Sequence, residues 1–274
     1  MADLTIALQA IPARVEPRPI LVLGNHKSGT TAIAALLAEI AGYPVTLDLA
    51  REVKHPTYQT VRGGRMSIDA FVQRNKLDFS RKIIKEPNFI VIFDQLRARF
   101  PDAKMVFVVR DPRDDLRSIL NRLRLPGDLQ QLDQPYRGVN ARAWNLYLDG
   151  HWAGIEADHY IEVLAGRWKL AAQMYLDHRD AMERVRYEDF EQDKAGEIGR
   201  LAERLGLPRP NDIRDKVDFP YQPAGDRSID WPSFFGLGNL QRIERVCGET
   251  MIPLGYRPLL QTESADESPD IHHG

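Results

Sequence analysis

Short apolar runs alternate along this chain with longer segments in which apolar residues recur at helical spacing. The first run, Ile20-Leu21-Val22-Leu23, ends at Gly24 and predicts a buried strand over about 20–24. A polar turn follows. Then comes Ala32-Ile33-Ala34-Ala35-Leu36-Leu37, the apolar centre of a helix over about 29–41 that stops before Gly42. Val45-Thr46-Leu47 reads as a second short strand, and residues 50–80 as loop with one helix near 67–76. Lys82 to Lys85 is a strand that stops at Pro87, and Phe89, Ile92, Phe93 and Leu96 set a helix up to Phe100. Lys104 to Val109 is the most hydrophobic strand after the first, which predicts a central place in a sheet. A helix capped by Asp111 runs from Pro112 to about Leu123. Residues 124–140 are loop-like, 141–178 mostly helical, Met182 to Arg186 a last strand and about 190–205 a helix. Residues 207–237 read as irregular, and a final helix runs from near Asn239 to before Gly255. The alternation predicts an α/β fold, a three-layer parallel sheet flanked by helices with ligands outside the carboxyl ends of its strands.

Composition narrows the class. With 274 residues, 43% hydrophobic and 28% charged, the chain reads as one domain over 1–274, with a core over about 18–258 and a polar, acidic, disordered tail over 261–274. A formal net charge of −2 demands no nucleic acid partner. The one cysteine, Cys247, excludes an internal disulfide framework and reads as a buried thiol. No stretch approaches about 18 apolar residues, and no signal peptide opens the chain, so a cytoplasmic location is expected. A homodimer stays open.

The chemistry concentrates at Asn25-His26-Lys27-Ser28-Gly29-Thr30-Thr31. A strand–turn–helix junction aims backbone amides and the positive end of the helix dipole at one spot, which suits a phosphate. Lys27 adds a cation, and Ser28, Thr30 and Thr31 add hydroxyls. Gly24 and Gly29 keep the spacing of the nucleotide-triphosphate loop, so the fold is P-loop-like, but its lysine is displaced to Lys27 and no hydroxyl follows a lysine to hold Mg²⁺. No metal is expected. A second anion site is predicted at Arg110, at the carboxyl end of a buried strand, with the hydroxyl of Ser118. Arg113 and Arg117 instead have acidic neighbours that would pair with them as surface ions. Two phosphate sites on one edge point to a nucleotide phosphorylated at two separate places.

In these motifs the chain resembles sulfotransferases that use 3′-phosphoadenosine 5′-phosphosulfate (PAPS). The loop at 25–31 resembles the family's 5′-phosphosulfate loop, and Arg110 with Ser118 its 3′-phosphate pair. Lys85-Glu86-Pro87 resembles the Lys-Ser/Thr-Pro segment of the bacterial and carbohydrate branches. Val185-Arg186-Tyr187-Glu188-Asp189-Phe190 resembles the Tyr-Glu-Asp block, Trp168 a tryptophan that precedes it, and Gly248 to Tyr256 the C-terminal signature. The matches run in order from about 20 to 256.

The resemblance implies transfer of a sulfuryl group from PAPS to a hydroxyl, or less readily an amine, of a small-molecule or carbohydrate acceptor, leaving the bisphosphate PAP. It implies that Ser28, Gly29, Thr30 and Thr31 hold the phosphosulfate and that Lys27 is the catalytic lysine. Tyr187 then lies near adenine, and Arg227 is a further 3′-phosphate contact. Lys85 reads as a second cation at the sulfuryl group. The histidine that cytosolic relatives use as base falls at Pro87 and is absent. Glu52 is the first candidate base, then His55, Glu86 and His26. A P-loop small-molecule kinase and a non-catalytic nucleotide-binding protein of the same fold remain as alternatives. The acceptor-facing variable segments are expected at 50–80 and 121–165, where a basic run and the aromatics at 136–168 leave the acceptor open.

Overall fold

A computed structural model of the chain describes residues 13–132, 142–221 and 228–260. Five strands form one sheet: β1 Ile20–Gly24, β2 Val45–Leu47, β3 Ile83–Lys85, β4 Lys104–Val109 and β5 Glu183–Arg186. Their order is β2-β3-β1-β4-β5, and every pairing is parallel. The two apolar strands read as central from sequence are β1 and β4, side by side, with Gly24 in register with Val108.

The strands' alternation builds two cores. Ile20, Val22, Ile83, Val106, Val108 and Val185 face one side. There they meet α1 Thr30–Ala41 and, later in the chain, the helix Lys194–Arg204, through Ile33, Leu37, Ile198 and Leu201. Leu21, Leu23, Ile84, Met105, Phe107 and Val109 face the other. That side is closed by α6 Pro112–Leu123, α8 Tyr160–His178 and α11 Trp231–Met251. The α/β three-layer expectation therefore holds, because a strand buried on both faces alternates between two cores rather than between core and water.

Differences from the sequence reading are local. Residues 50–80 hold three short helices, α2 Ala50–Lys54, α3 Tyr58–Arg62 and α4 Ile68–Arg74, where one was expected. Their burial rests on a few large side chains, Tyr58, Val61, Phe71 and Val72, too sparse to mark a period. The stretch from Phe89 to Phe100 divides into a 3-10 turn over Pro87–Ile92, capped by the Glu86 side chain, and α5 Phe93–Arg99. The stretch 141–178 is broken between α7 Arg142–Leu148 and α8, where Gly154 takes a left-handed φ of 78°. The helix expected at 190–205 is two, α9 Tyr187–Gln192 and α10 Lys194–Arg204, because Asp193 leaves helical geometry to cap α10 at the amide of Gly196. The last helix starts eight residues early by the same device: Asp230 caps it at the Ser233 amide, with Pro232 in the first turn, and Gly236 interrupts it at φ 67°, ψ 156°. The tail at 261–274 lies outside the described residues. No described helix is long and apolar enough to cross a membrane.

Phe107 on β4 is 1% exposed and stacks on Tyr175 of α8 at 4.7 Å. Phe107→Ala should lose about 3–5 kcal/mol in urea unfolding. A loss under about 1 kcal/mol would contradict this packing.

Candidate active site

β1, β3 and β4 deliver the loop at 25–31, Lys85 and Arg110 to one edge of the sheet. The loop bends sharply there. Lys27 and Gly29 both take left-handed φ, 70° and 99°, and Gly24 lies at 152°. Gly24 and Gly29 have no room for a side chain. A Cβ on Gly24 would stand 2.5 Å from the Val108 carbonyl oxygen, and one on Gly29 2.2 Å from the Tyr187 ring. The Ser28 hydroxyl is buried below the loop and donates to the Asn25 carbonyl at 2.8 Å. Asn25 Oδ1 in turn accepts from the Tyr147 hydroxyl at 2.8 Å. Helix α1 begins at Gly29 with no side chain capping it. Its first amides and dipole therefore face outward, toward whatever occupies the edge.

A cavity of about 640 Å³ opens over this edge. It is lined by Lys27, Gly29, Thr30, Thr31, Lys85, Glu52, Arg110, Ser118 and Tyr187, so the structure brings these expected residues together. His55 does not join them: it is exposed, because the chain leaves α2 at His55 and turns away from the wall that Glu52 occupies. Arg227 lies outside the described residues. The lining also contains residues the sequence did not single out. Phe219 and Tyr221, ring centroids 5.0 Å apart, share the lining with Tyr187, as do Asp48, Tyr58 and Arg122. Their signal was absent because Phe219 and Tyr221 sit in an irregular segment with no period.

Arg110 is 4% exposed. Its Nη1 donates to the Lys27 carbonyl at 3.2 Å, its guanidinium lies 4.6 Å from the Tyr187 ring centre, and its Nε is buried without a partner. Arg110 lines the cavity, where a guanidinium fits an anion. Arg113 and Arg117 pair with acids as expected, but both are buried rather than surface ions. Arg113 bonds Asp111 at 2.6 Å and Glu244 at 2.8 Å, under the Trp231 ring at 4.2 Å. Arg117 pairs with Asp114 at 2.5 Å.

The four candidate bases now separate. Glu52 is 1% exposed, and its carboxylate accepts from the Thr57 amide and hydroxyl, Arg74 Nε and Asn75 Nδ2, which ties residues 52–75 together. His26 packs on Tyr147 at 4.3 Å, and burial, then Lys85, Arg167 and Lys27, push its imidazole well below its ordinary value. Glu86 is pushed up to about 7 by burial and by Asp48. Its Oε1 accepts from Asn88, and Oε2 accepts from the Leu49 amide at 3.3 Å, with the Tyr58 hydroxyl also directed at the carboxyl. Beside it Lys85 is buried, with Nζ 2.5 Å from Asp48. Burial, then the charges of Arg122, Arg110 and Lys85, bring Lys27 down to about 8, against the pull of Asp115. An edge so crowded with cations calls for an anionic ligand. The thiol of Cys247 is buried away from this edge, and burial pushes it up.

The sequence matches the model of the Sulfotransferase family over residues 49–211, more than half of the chain, and the protein belongs to that family. The match begins after the loop at 25–31, so the loop is an independent observation. No curated protein matches the sequence. Among solved structures, the fold is similar to the mouse sulfotransferase SULT7A1 complexed with PAP, at 15% identity and TM-score 0.54, over 89% of this chain and 88% of that one. It is similar to sulfotransferase STF9 from Mycobacterium avium, at 15% identity and TM-score 0.53, over 94% and 82%. STF1 from Mycobacterium tuberculosis H37Rv follows at 14% and 0.52, over 89% and 80%. At such identity the likeness is one of fold.

An anion binding beside Lys27 should do so with a marked pH dependence. Below about pH 8 Lys27 already carries its proton. Above that, an anion that restores its ordinary value must draw a proton with it, so affinity should fall by up to about tenfold per pH unit. Calorimetric titration with sulfate from pH 7 to 10 reads this slope. An unchanged slope in Lys27→Met would show that another group sets it.

Proposed function

We propose that this protein transfers a sulfuryl group from PAPS to the hydroxyl of a small-molecule or carbohydrate acceptor, leaving PAP. One observation carries the reading. The uncapped start of α1 and the Arg110 side chain line the same cavity from neighbouring strands, which supports two anion sites on one edge. A nucleotide with a 5′-phosphosulfate and a 3′-phosphate matches that pair. The loop over Ser28, Gly29, Thr30 and Thr31 takes the first group, and Arg110 with Ser118 the second. Tyr187, Phe219 and Tyr221 offer aromatic faces to the base between them.

PAPS supplies an activated sulfuryl group on a phosphate leaving group. The chain supplies charge and a proton acceptor. Lys27 stabilises the negative charge that grows on the departing phosphate, an interaction stronger in the transition state than before it. Lys85 serves the sulfuryl oxygens. For the acceptor's proton the environment favours Glu86 over Glu52. A carboxyl near 7 is matched to a base working near neutrality, whereas all the lone pairs that Glu52 directs at its neighbours are engaged. His26 is held neutral among cations, which penalises the imidazolium that proton uptake would create.

PAP should raise the melting temperature well above the shift given by AMP or ATP at equal concentration. Equal shifts would remove the 3′-phosphate assignment, and with it the reading. Glu86→Gln should cut kcat by about 100-fold or more with PAP affinity retained. The wild-type rate should fall as pH drops below about 7, where Glu86 takes up its proton. Full activity in Glu86→Gln would return the role to Glu52.

A further inference from the structure

The charged groups around the cavity are mostly answered. Asp48 pairs with Lys85, Asp114 with Arg117, and Lys194 with Asp218. Glu52 is held by Arg74. On the proposed function, Lys27 and Arg110 meet the two ends of the nucleotide. Arg122 is answered by neither set. It reaches the lining, is exposed, and makes no hydrogen bond or ion pair with a described residue.

Its place along the cavity follows from α6. Ser118 stands one turn earlier on that helix, about 6 Å along the axis. Arg122 therefore lies beyond the pair Arg110–Ser118, away from the 3′-phosphate end. Its charge bears on Lys27 more strongly than that of Arg110 or Lys85 does. Lys27 and Arg122 line the same cavity. The lining there also includes Trp144 of α7, whose ring meets His26 at 5.3 Å.

We infer that Arg122 is the acceptor's anion subsite: the acceptor carries a carboxylate, phosphate or sulfate on an apolar or aromatic body, with its hydroxyl presented to Lys27 and Glu86. The inference rests on the sulfotransferase reading and narrows its acceptor. A guanidinium offers two parallel donors to such a group, and at a partly enclosed edge such charge-assisted bonds are the strong kind. The surplus positive charge also disfavours a cationic amine as acceptor.

The test uses matched hydroxyl compounds in which an anionic carboxylate is exchanged for a neutral amide: 4-hydroxyphenylacetate against its amide, and 3-(4-hydroxyphenyl)propionate against its amide. Sulfuryl transfer from PAPS should favour the acid of a pair by about tenfold in kcat/KM, the effect expected of one charge-assisted bond. Arg122→Gln should erase the preference and Arg122→Lys keep part of it, with PAP affinity within about twofold of wild type in both. If no pair is turned over, the same compounds are titrated into the PAP complex, where the acid should bind about tenfold tighter than the amide. Equal treatment of acid and amide in both assays overturns the inference, as does a preference that survives in Arg122→Gln. Failure of the wild type to bind PAP sinks the underlying reading instead.

Discussion

The site depends on a steric constraint at two glycines. The chain leaving β1 is pressed between the Val108 carbonyl on one side and the Tyr187 ring on the other, and neither Gly24 nor Gly29 has room for a Cβ. This fit fixes three things together. It sets the bend that starts α1 without a cap, it brings the Lys27 carbonyl to the Arg110 guanidinium, and it lays that guanidinium over Tyr187. The register of β1 on β4 is thereby also the alignment of the two anion sites, because Gly24 lies opposite Val108, two residues before Arg110. A shift of one residue would turn every strand side chain to the wrong core.

Arg110 is braced by segments distant in sequence. The Trp168 indole donates to its carbonyl oxygen at 2.9 Å, and the next amide, of Asp111, donates to Glu188 at 2.9 Å. The Tyr256 hydroxyl holds the other oxygen of Glu188 at 2.8 Å. Asp111 also grips the buried Arg113, which reaches Glu244 of α11. Buried ion pairs of this kind add little net stability against apolar replacements. Their value here is orientation, since Asp111 and Glu244 hold the Arg113 guanidinium from two sides. The motifs at 168, 187–189 and 256 thus act on the nucleotide edge largely through one arginine's backbone.

Which parts of this were legible follows from what a sequence encodes locally. The strands and the loop were legible because burial on both faces and a glycine-bounded turn leave contiguous marks. Arg110 was legible from its place at a strand end, and Cys247 from its apolar context. The three short helices at 50–74 were not, because Glu52 holds them by side-chain bonds to Thr57, Arg74 and Asn75 rather than by an apolar period. The same bonds explain why Glu52 drew notice as a base: a carboxylate in a basic segment looks available until its partners are known. Phe219 and Tyr221 carried no signal at all, since only tertiary folding brings an irregular segment to the cavity lining.

Electrostatics ties these parts into one argument. The fold holds Lys27, Lys85, Arg110 and Arg122 near one another, and buries Glu86 and Asp115 beside them. Burial pushes both carboxyls up and, with the neighbouring cations, pushes Lys27 down, so the ligand-free edge sheds charge. On the proposed function, an incoming polyanion reverses this for Lys27, which would regain a full proton beside the leaving group. The same negative charge strengthens Glu86 as a base while favouring its neutral form. Lys85 works against that excess, since it follows β3 directly into Glu86 and lowers it. Asp48, clasping Lys85, sets how much of that positive charge Glu86 feels. On the proposed function, one strand end therefore couples the cation proposed for the transferred group to the proposed acceptor of the proton, and a change at Asp48 reaches both.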